Sequence, residues 1–345
     1  MSTPSRPSLV RHWLALAEEL VGRAAPRLDA LNLFPVPDAD TGTNMLATLT
    51  AARTAADACP AQDDAGAVLA HAGAAALDSA RGNSGMLLAV SLAGMAEPLR
   101  GRERVDAFAL AAAFGAADRA ARQALSDPRE GTILTVLSAA ARSLARSSTQ
   151  APDTPAVAGD ADPAVRLGPA VTVMLADCVQ AVEETESLLA PLTRAHVVDA
   201  GAVGLLWVFE ALRAVVTGTP VDEELATALH GYVEGAHAAE GEPAAAAEAP
   251  TEGAVEVMGT LALTPLAAAE LRRRLADVGD AVILAPVGTA RDAQGRVPWR
   301  VHVHVPRAED AIGPLRAAGD VEGLAVTDLA EPSHGDAAPD GCHGR

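Results

Sequence analysis

From about Leu9 to Tyr232 the apolar residues of this chain recur at spacings of three and four, and strict alternation is absent. Leu14, Leu16, Leu20 and Val21 form one such set, and Phe108, Ala112, Phe114 and Ala117 another. That period places each set on one face of an α-helix and argues against a sheet throughout this region. Composition says how the helices pack. Apolar residues make up 50% of the chain but aromatics only 2%. Alanine and leucine therefore supply the interior, and helix axes approach closely. Polar or glycine-containing breaks near Asp38, Arg81, Asp127 and Asp199 divide the pattern into about eight or nine helices, enough for a bundle. Ser147 to Asp162, rich in Ser, Pro, Asp and Ala, reads as a flexible loop between helices.

Residues 234–253 are rich in Ala, Glu, Pro and Gly without periodicity and read as an interdomain linker. Beyond them the pattern changes. Val255–Thr264 reads as a strand, Pro265–Val278 as a helix, Ala281–Val287 and Trp299–Val305 as strands, Arg307–Ala318 as a helix and Gly323–Leu329 as a last strand. The order βαββαβ is the ferredoxin-like arrangement. The expected organisation is thus a mainly α helical domain over 8–233, the linker, a small α+β domain over 254–330, and a disordered tail over 331–345.

A formal charge of −19 argues against nucleic acid as a partner, because phosphate backbones demand basic patches. All 26 basic residues are arginine. Without lysine there is no Walker A motif, so any ATP handled here is held by another architecture. Cys59, Cys178 and Cys342 are widely spaced, which indicates neither a disulfide framework nor a zinc knuckle. No secretory leader and no membrane-spanning stretch is read, and a cytoplasmic protein is expected.

The segment Asn32-Leu33-Phe34-Pro35-Val36-Pro37-Asp38-Ala39-Asp40-Thr41-Gly42-Thr43-Asn44-Met45 carries the most chemistry. Pro35 and Pro37 stop the preceding helix and extend the backbone. Asp38 and Asp40 follow in a tight turn, where Gly42 is expected to take a conformation closed to other residues. Thr41 or Thr43 is expected to cap the helix starting near Asn44. Two crowded carboxylates repel unless a cation lies between them, and hard oxygen ligands suit Mg²⁺ or Mn²⁺. A free helix start beside that cation is an anion site. The competing reading is an acidic helix cap with no ligand.

Three further breaks resemble this one. Arg81-Gly82-Asn83-Ser84-Gly85 precedes an apolar helix, and its glycines allow close backbone approach to a phosphate or, in the plainer reading, an ordinary capped turn. Glu130-Gly131-Thr132 and Val198-Asp199-Ala200-Gly201 open two more helices, with Thr132 and Asp199 in capping positions. In an up-and-down bundle, starts separated by an even number of helices share one end. His302 and His304 lie on one face of the strand Arg300–Val305 with the intervening valines toward the core. Such a pair can hold zinc given further ligands, but an exposed face is the expectation.

Taken together, N-x-F-P-V-P-D-x-D-T-G-T-N-M at 32–45, A-R-G-N-S-G at 80–85, E-G-T-I-L-T-V at 130–136 and V-V-D-A-G at 197–201 resemble the fatty acid kinase A subunit family. The N-terminal domain of that family is the DhaL-type nucleotide domain of dihydroxyacetone kinases. The four segments occur in the family's order over residues about 8 to 220, and the region 255–329 resembles its middle domain more loosely. The resemblance implies an antiparallel α-helical barrel holding ATP and two divalent cations at one end. Asp38 and Asp40 would be the catalytic metal ligands, with Asn32 near the place of a third acidic ligand. Thr41, Thr43, Asn44, Asn83, Ser84 and Gly85 would bind the phosphates, with Thr132 and Asp199 near the nucleotide. The acceptor would be a fatty acid on a separate carrier protein, the product an acyl phosphate, and the assembly a homodimer.

A carboxylic acid is already ionised at neutral pH and needs no general base. Its difficulty is approach to a polyanion, which bridging cations relieve. Three departures from the family stand out. Ala39 replaces a usual glycine, tolerable if its φ stays negative. Met258 replaces a cysteine that would complete a metal site with the two histidines, which weakens a zinc assignment. The family's large C-terminal domain is not represented in this sequence. A dihydroxyacetone-type kinase and a non-catalytic nucleotide-binding regulator are the alternatives.

Overall fold

The computed structural model describes residues 6–60, 63–102, 105–149, 163–232 and 253–329. Most of the linker, the tail over 331–345 and the 150–162 part of the expected loop lie outside them. The protein is mainly helical with one small antiparallel sheet, as the periodicities predict. Its helices before the linker are α1 (Arg6–Leu31), α2 (Thr41–Ala58), α3 (Ala65–Ser79), α4 (Gly82–Gly94), the short α5 (Ala96–Leu99), α6 (Ala107–Ala124), α7 (Ile133–Thr149), α8 (Pro163–Leu188), the short α9 (Ala190–Ala195) and α10 (Ala200–Thr217). Two boundaries differ from expectation. Helix α7 continues through Ser147–Thr149, and residues 218–232 form turns instead of helix.

Each long helix packs on the next: α1 on α2, α2 on α3, α3 on α4, α4 on α6, α6 on α7, α7 on α8 and α8 on α10, with α10 returning to α1. Leu14, Leu28, Met45, Leu49, Leu77 and Phe114 are fully buried between them, each such side chain stabilising the fold by about 1.5–3 kcal/mol. Small residues set the spacing. A Cβ on Gly42 would come within 2.4 Å of the Ala25 carbonyl oxygen. Gly42 is thus required by the close crossing of α1 and α2, not by an unusual backbone angle.

Helix α10 corrects the expectation of no membrane-length segment, since Ala200–Thr217 has the length and hydropathy to cross a bilayer. It is 78% buried inside the protein, and Glu210 in its middle pairs with Arg213 at 2.5 Å. These are properties of a core helix. The Trp13 indole of α1 donates to the Val208 carbonyl of α10 at 2.9 Å, tying the last long helix to the first.

After the linker come β1 (Val255–Leu263), α11 (Pro265–Ala276), β2 (Asp280–Pro286), β3 (Val297–Val305), α12 (Ala308–Ala318) and β4 (Val321–Asp328). The strands lie in the order β2-β3-β1-β4, and all neighbours are antiparallel. Val257, Val301, Val303, Val305 and Leu284 pack with Leu271 of α11 and Leu315 of α12 in a core of their own. The opposite face of the sheet is also covered: Met258, Ile283 and Ala285 join the core of the helical unit. Backbone contacts pin this junction, with Ser126 N–H donating to the Val282 carbonyl at 3.0 Å.

Candidate functional site

The alternation of the long helices points the starts of α2, α4, α7 and α10 the same way. Close approaches confirm that these starts meet. A Cβ on Gly82 would lie 2.5 Å from the Asn44 side-chain amide, and one on Gly85 would lie 2.8 Å from the Thr48 hydroxyl. A Cβ on Gly201 would lie 3.0 Å from the Ser84 hydroxyl and 3.7 Å from Ile133. The glycines of the 81–85 and 198–201 segments therefore bring backbones together. Gly82 also takes a left-handed φ of 58°, which glycine adopts without strain.

A cavity of about 40 Å³ opens where the α2 and α4 starts face the sheet. Asn32, Asp38, Asp40, Thr41, Asn44, Asn83 and Ser84 line it. Seven of the residues singled out from sequence thus come together. Thr43, Gly85, Thr132 and Asp199 do not line it. Gly85 is a packing residue, as above. The exposed Thr132 hydroxyl donates to the Arg129 carbonyl and accepts from the Leu134 amide, acting as a cap for α7.

The cap of α2 differs from expectation. Asp40 occupies the cap position without capping through its side chain. Asp29, near the end of α1, instead accepts from the Gly42 amide at 2.6 Å, the Thr43 amide at 3.0 Å and the Thr43 hydroxyl at 2.8 Å. The start of α2 is therefore not a free anion site, because a carboxylate already occupies those amides. This leaves Asp38 and Asp40 uncommitted to capping. Ala39 between them has a φ of 54°. The condition of a negative φ, under which alanine would replace glycine without strain, is therefore not met, and a left-handed L-residue costs roughly 1–2 kcal/mol.

Electrostatics at the elbow are those of two carboxylates sharing too little water. Burial, and then the neighbouring Asp40, push the Asp38 carboxyl up to about 8. Burial raises Asp40 as well, although Asp38 and Asn44 hydrogen-bond to it. The Asn32 amide donates to Asp38 Oδ1 and holds it in place. At neutral pH the pair retains a proton that a divalent cation would replace. The buried Asn83 Oδ1 has no hydrogen-bond partner among the described residues, and an unsatisfied buried acceptor is one that a cation or a donor group would satisfy. The cavity has room for a cation and its waters; a nucleoside triphosphate would extend well beyond it.

Asp199 serves a different purpose. It is buried, caps α10 by accepting from the Ala202 amide at 2.8 Å, and also accepts from the Ile133 amide at the start of α7. Burial outweighs these amides and pushes its carboxyl up to about 7. It joins two helix starts behind Ser84.

The sheet supplies the rest of the wall. Glu256 and His304 line the same cavity, with Thr327 and Asp328. His302 and His304 are buried, which corrects the expected exposed face: the sheet has a helical layer on each side, so both faces of β3 are covered. Glu256 Oε1 accepts from the Gly82 amide at 3.0 Å and lies 2.8 Å from His302 Nε2. Burial opposes its charge, yet the histidines and that amide hold its carboxyl at about 2. Burial, and then His302, lower the His304 imidazole to about 3.

His302 Nδ1 donates to the Ala281 carbonyl at 3.0 Å, and its Nε2 lacks an aligned hydrogen bond among the described residues despite its contact with Glu256. Donor atoms of Glu256, His302 and His304 all lie within 4.8 Å of one another. Oxygen and imidazole donors of this kind can hold a transition-metal ion. Met258, paired with His302 across the sheet, does not empty the cluster, because Glu256 on the same face provides a third donor. Sequence reasoning missed Glu256. Its signal was a lone carboxylate in the apolar strand Val-Glu-Val-Met, in phase with Met258.

Comparison with known proteins places this arrangement in context. Protein YloV of Bacillus subtilis is 33% identical over 211 residues, covering 61% of this chain and 35% of that protein. An uncharacterized protein of Staphylococcus haemolyticus is 32% identical over 198 residues, covering 57% of this chain and 33% of its own. The matched part thus spans about a third of these relatives' length. A crystal structure of the dihydroxyacetone kinase from C. freundii, in complex with AMP-PNP and Mg²⁺, aligns over 62% of this chain and 35% of its own at 19% identity, with a TM-score of 0.41. Residues 35–214, just over half of the chain and including every helix start that meets at the pocket, match the model of the DAK2 domain, and the protein belongs to that family.

Proposed function

We propose that this protein is an ATP-dependent kinase that transfers the γ-phosphoryl group to a carboxylate, with a carrier-bound fatty acid as acceptor and an acyl phosphate as product. The observation that carries the reading is the convergence of Asp38 and Asp40 with Asn32, Asn44, Asn83 and Ser84 in one polar pocket. In this reading Asp38 and Asp40 hold Mg²⁺ or Mn²⁺, and Asn32 orients Asp38. Asn44, Asn83, Ser84 and Thr41 receive phosphate oxygens, and Thr43 joins them once Asp29 yields. The bound cations supply charge neutralisation for the transferring group. Asp199 acts from behind by fixing the α7 and α10 starts.

The closed order of helix contacts supports reading residues 8–233 as a DhaL-like barrel. The strand order supports reading 254–330 as a ferredoxin-like domain joined by the 234–253 linker. A carrier protein as partner, a homodimer and a cytoplasmic location complete the proposal. A second reading, a nucleotide-binding regulator without turnover, is favoured by one contact: Glu256 already occupies the Gly82 amide at the start of α4.

Calorimetric titration of the full chain with ATP, with and without Mg²⁺, tests the shared basis of both readings. Absence of Mg²⁺-dependent binding rejects them together. Labelled phosphoryl transfer to a fatty acid plus its carrier supports the kinase, whereas transfer to dihydroxyacetone alone replaces the acceptor. Binding without transfer to either supports the regulator.

A further inference from the structure

A second cavity, of about 450 Å³, lies between the helical unit and the sheet. That volume is within the range of about 300–1,000 Å³ typical of small-molecule sites. It is separate from the acidic pocket. Trp299 lines it while His304 lines the other, and five residues of extended strand put these roughly 16 Å apart.

Its shape follows from side-chain size. Ala74 of α3, Ala93 of α4 and Ala120 of α6 face Ala269 of α11 and the Trp299 ring across the gap. Small residues on facing elements leave a slot that larger aliphatic side chains would fill. The Trp299 indole donates to the Leu263 carbonyl at 3.2 Å, so its ring is held as a wall.

Its charge is opposite to that of the chain as a whole, which carries −19. Arg100 and Arg272 line the cavity against one carboxylate, Glu97. Arg100 pairs with Glu97 at 3.2 Å. The half-buried Arg272 donates to the Gln123 backbone carbonyl and has no carboxylate partner among the described residues. An apolar slot with a guanidinium at its edge is complementary to a molecule with an alkyl chain and an anionic head.

We propose that this cavity binds a single-chain anionic amphiphile, its alkyl chain against the alanines and Trp299 and its carboxylate or phosphate head on Arg272. The proposal is independent of the nucleotide reading, because the slot is remote from Asp38 and Asp40.

The test is calorimetric titration of the full chain with dodecanoate, dodecyl phosphate and dodecanol, each below its aggregation concentration. Saturable binding of one anionic molecule per chain is expected, with dodecanol at least ten-fold weaker. Arg272→Gln should weaken the anion roughly ten-fold, the loss expected of one charge-assisted hydrogen bond. Ala269→Trp fills the slot from an exposed helix position and should abolish binding with the far-UV circular dichroism unchanged. Binding of only one head group upholds the site and identifies its ligand class. Absence of saturable binding, equal affinity for dodecanol, or indifference to both substitutions overturns it. Each result stands whether or not the protein binds ATP.

Discussion

Asp38 and Asp40 reach the pocket from a single connection between consecutive helices, whereas Glu256 and His304 reach it from two strands that must first pair and then dock. The elbow accepts backbone strain at Ala39, and its carboxyls are pushed up by burial and by neighbouring carboxylates, Asp40 acting on Asp38, and Glu256 and Asp29 on Asp40. The strand cluster sits in regular antiparallel register, and its carboxyl is pulled down by histidines and an amide. One wall of the cavity is therefore short of positive charge, while the other is already compensated. The difference teaches that carboxylates lining one cavity can be shifted in opposite directions by their neighbours, even when the more deeply buried one is the one pulled down, and that the raised pair is the one that calls for a cation.

Substitution of the elbow provides the strongest way to break this contrast. Asp38→Ala or Asp40→Ala should lower phosphoryl transfer by roughly 100-fold or more, because charge stabilisation is the main catalytic contribution in such a site. Circular dichroism should be unchanged. Glu256→Ala should cost transfer less than roughly ten-fold on the same reasoning. Equal losses would erase the distinction between the two walls.

Asp199 extends the comparison to a buried carboxyl that caps helices instead of facing the cavity. Its folded value of about 7 exceeds the ordinary 3.8, so the folded state holds the proton more tightly than the unfolded chain. Its contribution to stability should be greatest below about pH 4, fall as pH rises toward 7, and level off above it. A shift of this size corresponds to something on the order of 4 kcal/mol. Denaturant unfolding across pH 4.5 to 8 should show a shallower slope for Asp199→Asn than for the parent chain. Matching slopes would mean that Asp199 is ionised as readily folded as unfolded.

Glu256 has the opposite sign. Held at about 2 against an ordinary 4.5, it contributes stability above pH 4.5 that is lost as pH falls toward 2. Glu256→Gln should destabilise the protein at pH 7 by about 1–3 kcal/mol, since it weakens the interactions with the Gly82 amide and His302. A stability equal to the parent's at pH 7 would show that the sheet is held to α4 by apolar contact alone. The smallest effect belongs to Ala39→Gly. Relief of the left-handed strain should raise stability by about 1 kcal/mol, detectable as a higher denaturant midpoint with an unchanged slope.

Helix and strand types were legible because both depend on local periodicity, and the small sheet's strands fall close to where alternation placed them. The elbow was legible for a related reason: prolines, carboxylates and a connection between helices are all within a few residues. The helix caps were less so. Asp29 could not be recognised as the cap of α2, because it precedes Pro35 and Pro37 and reaches back only when α1 and α2 pack side by side. Gly42 was assigned a turn conformation when its role is contact with Ala25, a partner that no local pattern names. His302 and His304 were assigned to an exposed face for the same reason.

The sequence by itself determined which segments are helical and which extended, where chain direction reverses, and that two aspartates stand together at one reversal. These follow from side-chain shape and backbone restriction over a few residues. The tertiary structure alone decided that four helix starts share an end, that Asp199 ties two of them together, and that the sheet presses Glu256 and His304 into the cavity that the elbow lines. Those outcomes depend on which apolar faces find each other across long stretches of chain, and burial then sets the charge of every group trapped between them.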